Sequence, residues 1–139
     1  MGTIAPPRVV DRLRAKRASA GAGDLFDADC PTRLVLDRIG DKWTVLVVLL
    51  LSDGPLRFTQ LRTDLGRVAP KVLTQTLRRM ERDGLVTREV FAEVPPRVDY
   101  ALTDLGRSLA RPIAVIGDWA EVHIGQIEAA QAAYDTKRR

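Results

Sequence analysis

Apolar residues recur along this chain with a period that switches from helical to strand-like and back, and the switches fall on glycine, proline and capping residues. Arg8 to Ala20, with Val9, Val10 and Leu13 set among arginines, has helix-forming composition and ends at the breaker Gly21-Ala22-Gly23. A second helix is expected to begin at Cys30-Pro31, because proline fits a first helical turn and lacks only an N–H that would go unpaired there. Leu34, Val35, Leu36 and Ile39 are its apolar positions and Gly40 stops it. Asp41 then caps Lys42 to Leu51, where Trp43 and the unbroken apolar run Val45 to Leu51 predict a helix buried on nearly all sides. Ser52-Asp53-Gly54-Pro55 reads as a turn.

Beyond that turn Leu56-Arg57-Phe58 is briefly extended, and Thr59 is expected to cap Gln60 to Leu65 with Phe58 stapled against the first turn. Gly66-Arg67-Val68 connects to a helix opened by Pro70 and ended by Gly84. Its Leu73, Leu77 and Met80 form one apolar stripe, which leaves Lys71, Thr74, Gln75 and Arg78 on the opposite, solvent-facing side. Two helices joined by a short glycine-containing turn make a helix-turn-helix, whose second helix presents its N-terminal half outward. Leu85 to Phe91 and Arg97 to Leu102 alternate in character and read as a β-hairpin, a wing, with the tip Ala92 to Pro96 ended by Pro95-Pro96. Thr103 caps a last helix carrying Leu105, Leu109, Ile113, Ile116, Ala120, His123 and Ile127 at three- and four-residue steps. Pro112 is a candidate kink, and Tyr134 to Arg139 a frayed end. The expected fold is mainly α: a winged helix-turn-helix, three core helices plus a hairpin wing, over 30–103, with dimerisation helices in the arm 1–29 and the segment 104–139.

Composition changes this picture only by exclusion. At 139 residues, 45% hydrophobic and 29% charged, the chain has the length of one domain and the make-up of a soluble protein. Its longest apolar run falls far short of the ~18 residues that span a membrane, and no apolar signal segment opens it, so a cytoplasmic, nucleoid-associated protein without a membrane partner is expected. One cysteine allows no internal disulfide and one histidine no zinc cluster, and no metal or cofactor is expected. The net +4 is unevenly spread: residues 1–20 carry +4, 21–55 −3, 56–97 +4 and 98–139 −1. Positive charge gathered in an arm and in the helix-turn-helix third suits a polyanion such as double-stranded DNA.

The candidate chemistry follows from base-edge geometry. Gln75 matches adenine bidentately, Thr74 a thymine methyl or a base edge, and Lys71 guanine or phosphate, while Arg78, one turn on, suits phosphate. Arg57, Thr59 and Gln60 open the preceding helix, where such folds cross the DNA backbone, and Arg97, after the wing tip, suits a phosphate or minor-groove entry. Each side chain alone is equally a solvated position on an amphipathic helix; the joint pattern carries the reading. The rival is a winged helix used as a protein-interaction module without specific DNA binding. His123 reads as a core or interface residue. Trp43 and Trp119 read as core or interface aromatics, or as the lining of an interhelical pocket for a small-molecule effector. Cys30 at a helix start, with Arg33 one turn on but Asp27 and Asp29 nearby, is either a stabilised thiolate or a small packed apolar residue. No nucleophile–base pair, phosphate loop or supported carboxylate dyad is present, so no catalytic residue and no enzyme is expected.

Four stretches in order and nearly ungapped, CPTRLVLDRIGDKWTVLVVLLLSDGPLRF, TQLR, KVLTQTLRRMERDGLV and EVPPRVDYALTDLGRSL, resemble the HxlR-type winged helix-turn-helix transcriptional regulators of bacteria. The resemblance implies a homodimer that binds a pseudo-palindromic operator through the second helix of the motif and the wing, and that responds to stress or small molecules. It also implies, for Cys30, the cysteine–proline position at which thiol sensors of that family join two subunits on oxidation. The family's second helix commonly starts with a serine cap where this chain has Ala69.

Overall fold

A computed structural model describes residues 8–20, 31–66 and 68–138. The chain divides into two compact units, Met1–Asp41 and Lys42–Arg139. Ile113, in the last helix, is 1% exposed within the core of the second unit.

In the first unit, α1 (Val9–Ala20) opens with an exposed ion pair, Arg8 to Asp11 at 3.0 Å, and α2 covers Arg33–Gly40. The second helix thus starts later than the Cys30-Pro31 position expected of it. Pro31 and Thr32 form a turn instead, with Leu34 N–H donating to Pro31 O and Val35 N–H to Thr32 O, both at 3.1 Å. Such i to i+3 bonds tighten a helix start that no side chain caps.

The second unit holds α3 (Lys42–Leu51), β1 (Leu56–Arg57), α4 (Phe58–Asp64), α5 (Pro70–Arg82), β2 (Val86–Phe91), β3 (Arg97–Leu102) and α6 (Asp104–Lys137). Helix α3 buries Thr44, Val47, Val48 and Leu51 fully, one stripe at helical spacing, while Leu46 stays exposed. Burial on nearly all sides is thus corrected to one buried face with half-buried flanks. Helix α4 starts two residues earlier than expected. Its N-cap is Arg57 rather than Thr59, and the Arg57 N–H donates to the Gln60 side-chain oxygen at 3.0 Å. An arginine has no acceptor to offer the helix, so Gln60 alone satisfies the cap.

Helix α5 buries Leu73, Thr76, Leu77 and Met80. The hydroxyl of Thr76 donates to Val72 O at 2.9 Å, which lets a polar side chain sit in the core. The helix ends in a Schellman turn: Gly84, at φ +76°, donates to Glu81 O at 3.0 Å and Leu85 to Met80 O at 2.9 Å. The three strands order β1-β3-β2, all antiparallel, with Phe91 opposite Arg97 and Glu89 opposite Asp99. Leu56-Arg57 therefore joins the hairpin as a third strand, Arg57 opposite Asp99. Val86, Tyr100 and Leu102 on one face of this sheet join Val47, Val48, Leu51, Leu61, Leu73, Leu77, Met80 and Ile113 in the core.

Thr103 caps α6 as expected, its hydroxyl accepting from Gly106 N at 3.0 Å. The apolar stripe of α6, however, is buried only near its start. Ile113 is enclosed and Leu109 half-buried, whereas Leu105, Ile116 and Ile127 are exposed. The helix runs through Pro112 as one element, and the tail expected to fray stays helical to Lys137, closed by Arg138 donating to the Tyr134 hydroxyl at 2.6 Å.

Candidate nucleic-acid interface

The amphipathic period of α5 places Lys71, Gln75 and Arg78 in solvent, while Thr74 at the edge of the same face is half-buried. The opposite face is locked by Leu73, Leu77 and Met80, none more than 1% exposed, so the polar face has a fixed direction. Ala69, at the N-cap with φ −67° and ψ 138°, makes no side-chain cap bond, and Pro70 occupies the first turn. Because Pro70 has no N–H, three backbone N–H groups at this end, those of Ala69, Lys71 and Val72, have no helical partner and are available to an anion.

Helix α4 contributes its start. Thr59 and Gln60 are exposed and share a surface recess with Thr63 and Asp64, of about 240 Å³. Because the Gln60 oxygen is held by the Arg57 N–H, its amide NH2 is left to donate outward. Exposed Arg57 and Thr59 also edge a cleft of about 370 Å³ that reaches the wing tip, lined by Val94, Pro95, Pro96 and Arg97.

Arg97 does not project freely. Its guanidinium lies 3.9 Å over the Phe91 ring, with Nη1 3.3 Å from Glu93 Oε1 and Nε 3.3 Å from Asp99 Oδ1. Its side chain is 25% exposed. One of these carboxylates comes from the tip and the other from two residues along β3, so the cation expected to serve a phosphate or a minor-groove entry is engaged within the wing.

Arg88 was missed by the sequence reasoning. It stands on β2 opposite Tyr100, exposed, and shares a cleft of about 190 Å³ with Thr74, Arg78, Glu81 and Tyr100. Strand alternation from buried Val86 puts Arg88 on the helix-bearing face, and that was the signal available. The cleft thus joins two arginines from α5 and the wing beside a threonine hydroxyl, a donor set for phosphate oxygens, with Glu81 limiting its positive charge.

The other candidates lie apart from this surface. Trp43 begins α3, half-buried, with the Lys42 ammonium 4.7 Å over its ring. Trp119 is 55% exposed on α6, stacked on His123 at 4.6 Å between ring centroids. His123 Nδ1 lies 2.8 Å from Trp119 O, so the proton sits on that nitrogen and donates to the carbonyl. Neither tryptophan lines the clefts described above. Cys30 and the arm 1–7 lie outside the described residues. Among the described residues no cluster of three metal-ligating side chains occurs, and no helix is long and apolar enough to cross a membrane.

Residues 38–128 match the HxlR-like helix-turn-helix family. The chain is 38% identical over 107 residues to the HTH-type transcriptional regulator YtfH of Escherichia coli strain K12, covering 77% of this chain and 85% of that one. It is similar in structure to the ytfH transcriptional regulator from Salmonella typhimurium, with a TM-score of 0.75 and 39% identity, over 79% of this chain and 98% of that one. It is also similar to the redox regulator HypR in its oxidized form, with a TM-score of 0.62 and 39% identity, over 67% and 96% of the two chains.

Proposed function

From the premise that this chain belongs to the HxlR-like helix-turn-helix family, a family of DNA-binding transcriptional regulators and not of enzymes, we propose that it acts as a homodimer on a pseudo-palindromic operator. The observation that carries the reading is the α5 face: Lys71, Gln75 and Arg78 stand in solvent on a helix whose other side is locked into the core. Gln75 reads a base edge, most simply adenine. Thr74 touches a thymine methyl at the groove wall, and Lys71 meets guanine or phosphate. Arg78 and Arg88 hold backbone phosphates, and Arg57, Thr59 and Gln60 donate where α4 crosses the strand.

The dimer is supported by the unpartnered face of α6, where Ile116, Trp119, His123 and Ile127 recur at helical spacing with the apolar members exposed. In this dimer the segment 104–139 and the arm 1–29 supply the contacts between subunits. The test is selection of duplex DNA from a random pool by purified protein under reducing conditions and moderate salt. An inverted repeat is the expected product. A folded protein that enriches no motif and retains no DNA even at low salt would overturn the reading in favour of a protein-interaction module.

The likeness to a redox regulator favours a second element of control. In it, the Cys30 thiols of two subunits lose two protons and two electrons to a peroxide-class oxidant and form one intersubunit disulfide. Non-reducing electrophoresis after mild peroxide should then show a covalent dimer that Cys30→Ser abolishes. A wild type that stays monomeric on the gel removes this element and leaves Cys30 a packed residue.

A further inference from the structure

We infer that Arg97 is a positioning residue of the wing, clamping the tip through Glu93 and Asp99, and that it does not itself contact DNA. The inference rests on the DNA-binding reading above and concerns how one part of that surface is held.

Three contacts fix the side chain. Phe91 faces Arg97 in the last register pair before the tip, and the guanidinium stacks on its ring at 3.9 Å. Glu93, inside the tip, is reached by Nη1 at 3.3 Å, and Asp99, two residues along β3, by Nε at the same distance. The planar guanidinium suits this role because its faces stack while its edges donate in two directions. Arg97 Nε and Asp99 Oδ1 are both shielded from solvent and make no aligned hydrogen bond, so each depends on the opposite charge beside it. Swinging Arg97 out to a phosphate would take its Nε from the shielded Asp99 oxygen, whose register neighbours are Glu89 on β2 and Arg57 on β1. A part-shielded carboxylate loses stability when its adjacent cation leaves, and the like charge of Glu89 opposite adds to the cost.

What the clamp holds is chemically distinct from a basic wing. Between the strands, Ala92 to Pro96 contains no cation; Glu93 is its only charge, and Val94, Pro95 and Pro96 are exposed. Two prolines offer no N–H and fixed φ, so the tip can meet a groove wall by shape but not by charge. Shape contact depends on placement, and a tip held before binding loses less freedom on binding. Arg97 ties the tip to the strand beneath it, and so contributes to affinity without touching the ligand.

The two readings of Arg97 differ in the sign of a mutational effect. Removing a carboxylate near DNA ordinarily tightens binding, and the gain is larger if it frees an arginine. The clamp predicts the reverse. On the duplex recovered by selection with wild type, Glu93→Gln and Asp99→Asn should each weaken binding about two- to fivefold, the worth of a part-exposed ion pair. The dependence on salt should grow no steeper. On the same duplex trimmed of the flanks that a wing reaches, wild type and variants should bind alike, a result that a general loss of stability would not give.

Tighter or unchanged binding, with a salt slope steeper by about 0.9, would place Arg97 on a phosphate and overturn the inference. An equal loss on full and trimmed duplexes overturns it in favour of a fold defect. Glu93 is half exposed, so Glu93→Gln reads the clamp even where Asp99→Asn lowers the melting temperature. A wild type that retains no duplex overturns the DNA reading and this inference with it.

Discussion

Gln75 and Arg88 carry opposite kinds of information, and their variants separate them. Gln75 is exposed in the first half of α5 and is the residue of that face whose amide can both donate to and accept from one base. Gln75→Ala should cost about 1–3 kcal/mol on the selected operator and leave binding to scrambled duplex unchanged. Arg88→Ala should weaken both duplexes alike and flatten the salt slope by about 0.9, as expected for one lost phosphate contact. Titrations of each variant at several salt concentrations decide the matter, and equal losses on both duplexes for Gln75→Ala would remove its base-reading role. The outward face of α5 was legible in sequence because a single helix sets its own period. The places of Arg88 and Arg97 were not, since they depend on which residues of two strands face each other. A pattern of alternation fixes the face of a strand but leaves its register open. The cap bond of Gln60 was hidden for a similar reason: a side chain one turn into a helix can serve the cap behind it or the ligand in front, and sequence spacing permits both.

At the scale of elements, the end of α5, the start of β2 and the first turn of α6 form one joint. Leu85, three residues past the helix, donates to Met80 O and accepts from Thr103 N at 3.0 Å, and the Thr103 hydroxyl in turn accepts from Gly106 N. A side chain at Gly106 has no room: a Cβ there would lie 2.1 Å from Leu85 O, a backbone atom committed to the joint, and 3.0 Å from Leu102 Cδ2. Gly106→Ala should therefore push α6 off the wing and cost on the order of 3 kcal/mol, with the melting temperature falling roughly 10 °C or more. Thermal unfolding followed by circular dichroism checks this, and an unchanged melting temperature would show that the joint yields. The other end of α5 leaves stability unused. Ala69 already has the extended backbone of an N-cap but no side-chain acceptor. Ala69→Ser should raise the unfolding free energy by about 0.5–2 kcal/mol at constant m-value in urea, and a null result would mean that the uncapped N–H groups are satisfied by water. Caps and stops made the elements legible from sequence to within a residue or two. The start of α2 was missed because Pro31 fits a turn as well as a first helical turn. The start of α4 was missed because Thr59 is a good cap by composition, while Arg57 becomes one only through Gln60.

At the scale of the whole molecule, α6 has 34 residues and extends well past the part that reaches the core. Its apolar stripe was visible in the sequence, but not where the stripe changes from intrachain to unpartnered; that follows from the depth of a core closed by Ile113. Beyond this point Ile116, Trp119 and Ile127 stand exposed at helical spacing, an apolar stripe of the kind that marks an interaction surface. Covering the exposed half of one indole removes roughly 100 Å² and contributes on the order of 2–3 kcal/mol, and a twofold axis doubles the effect. Trp119→Asp should then shift the protein to monomer at micromolar concentration, as read by sedimentation, with little change in melting of the subunit because the indole is only half covered there. Two recognition helices joined in a dimer engage half-sites about one helical turn of DNA, ~34 Å, apart or a multiple of it. A monomer engages them one at a time. The variant should therefore bind an isolated half-site as wild-type subunits do, while its affinity for the full inverted repeat falls toward that of the half-site. A Trp119→Asp protein that stays dimeric moves the interface elsewhere on the chain. One that becomes monomeric yet keeps full operator affinity would show that dimerisation and DNA binding are not coupled through this helix.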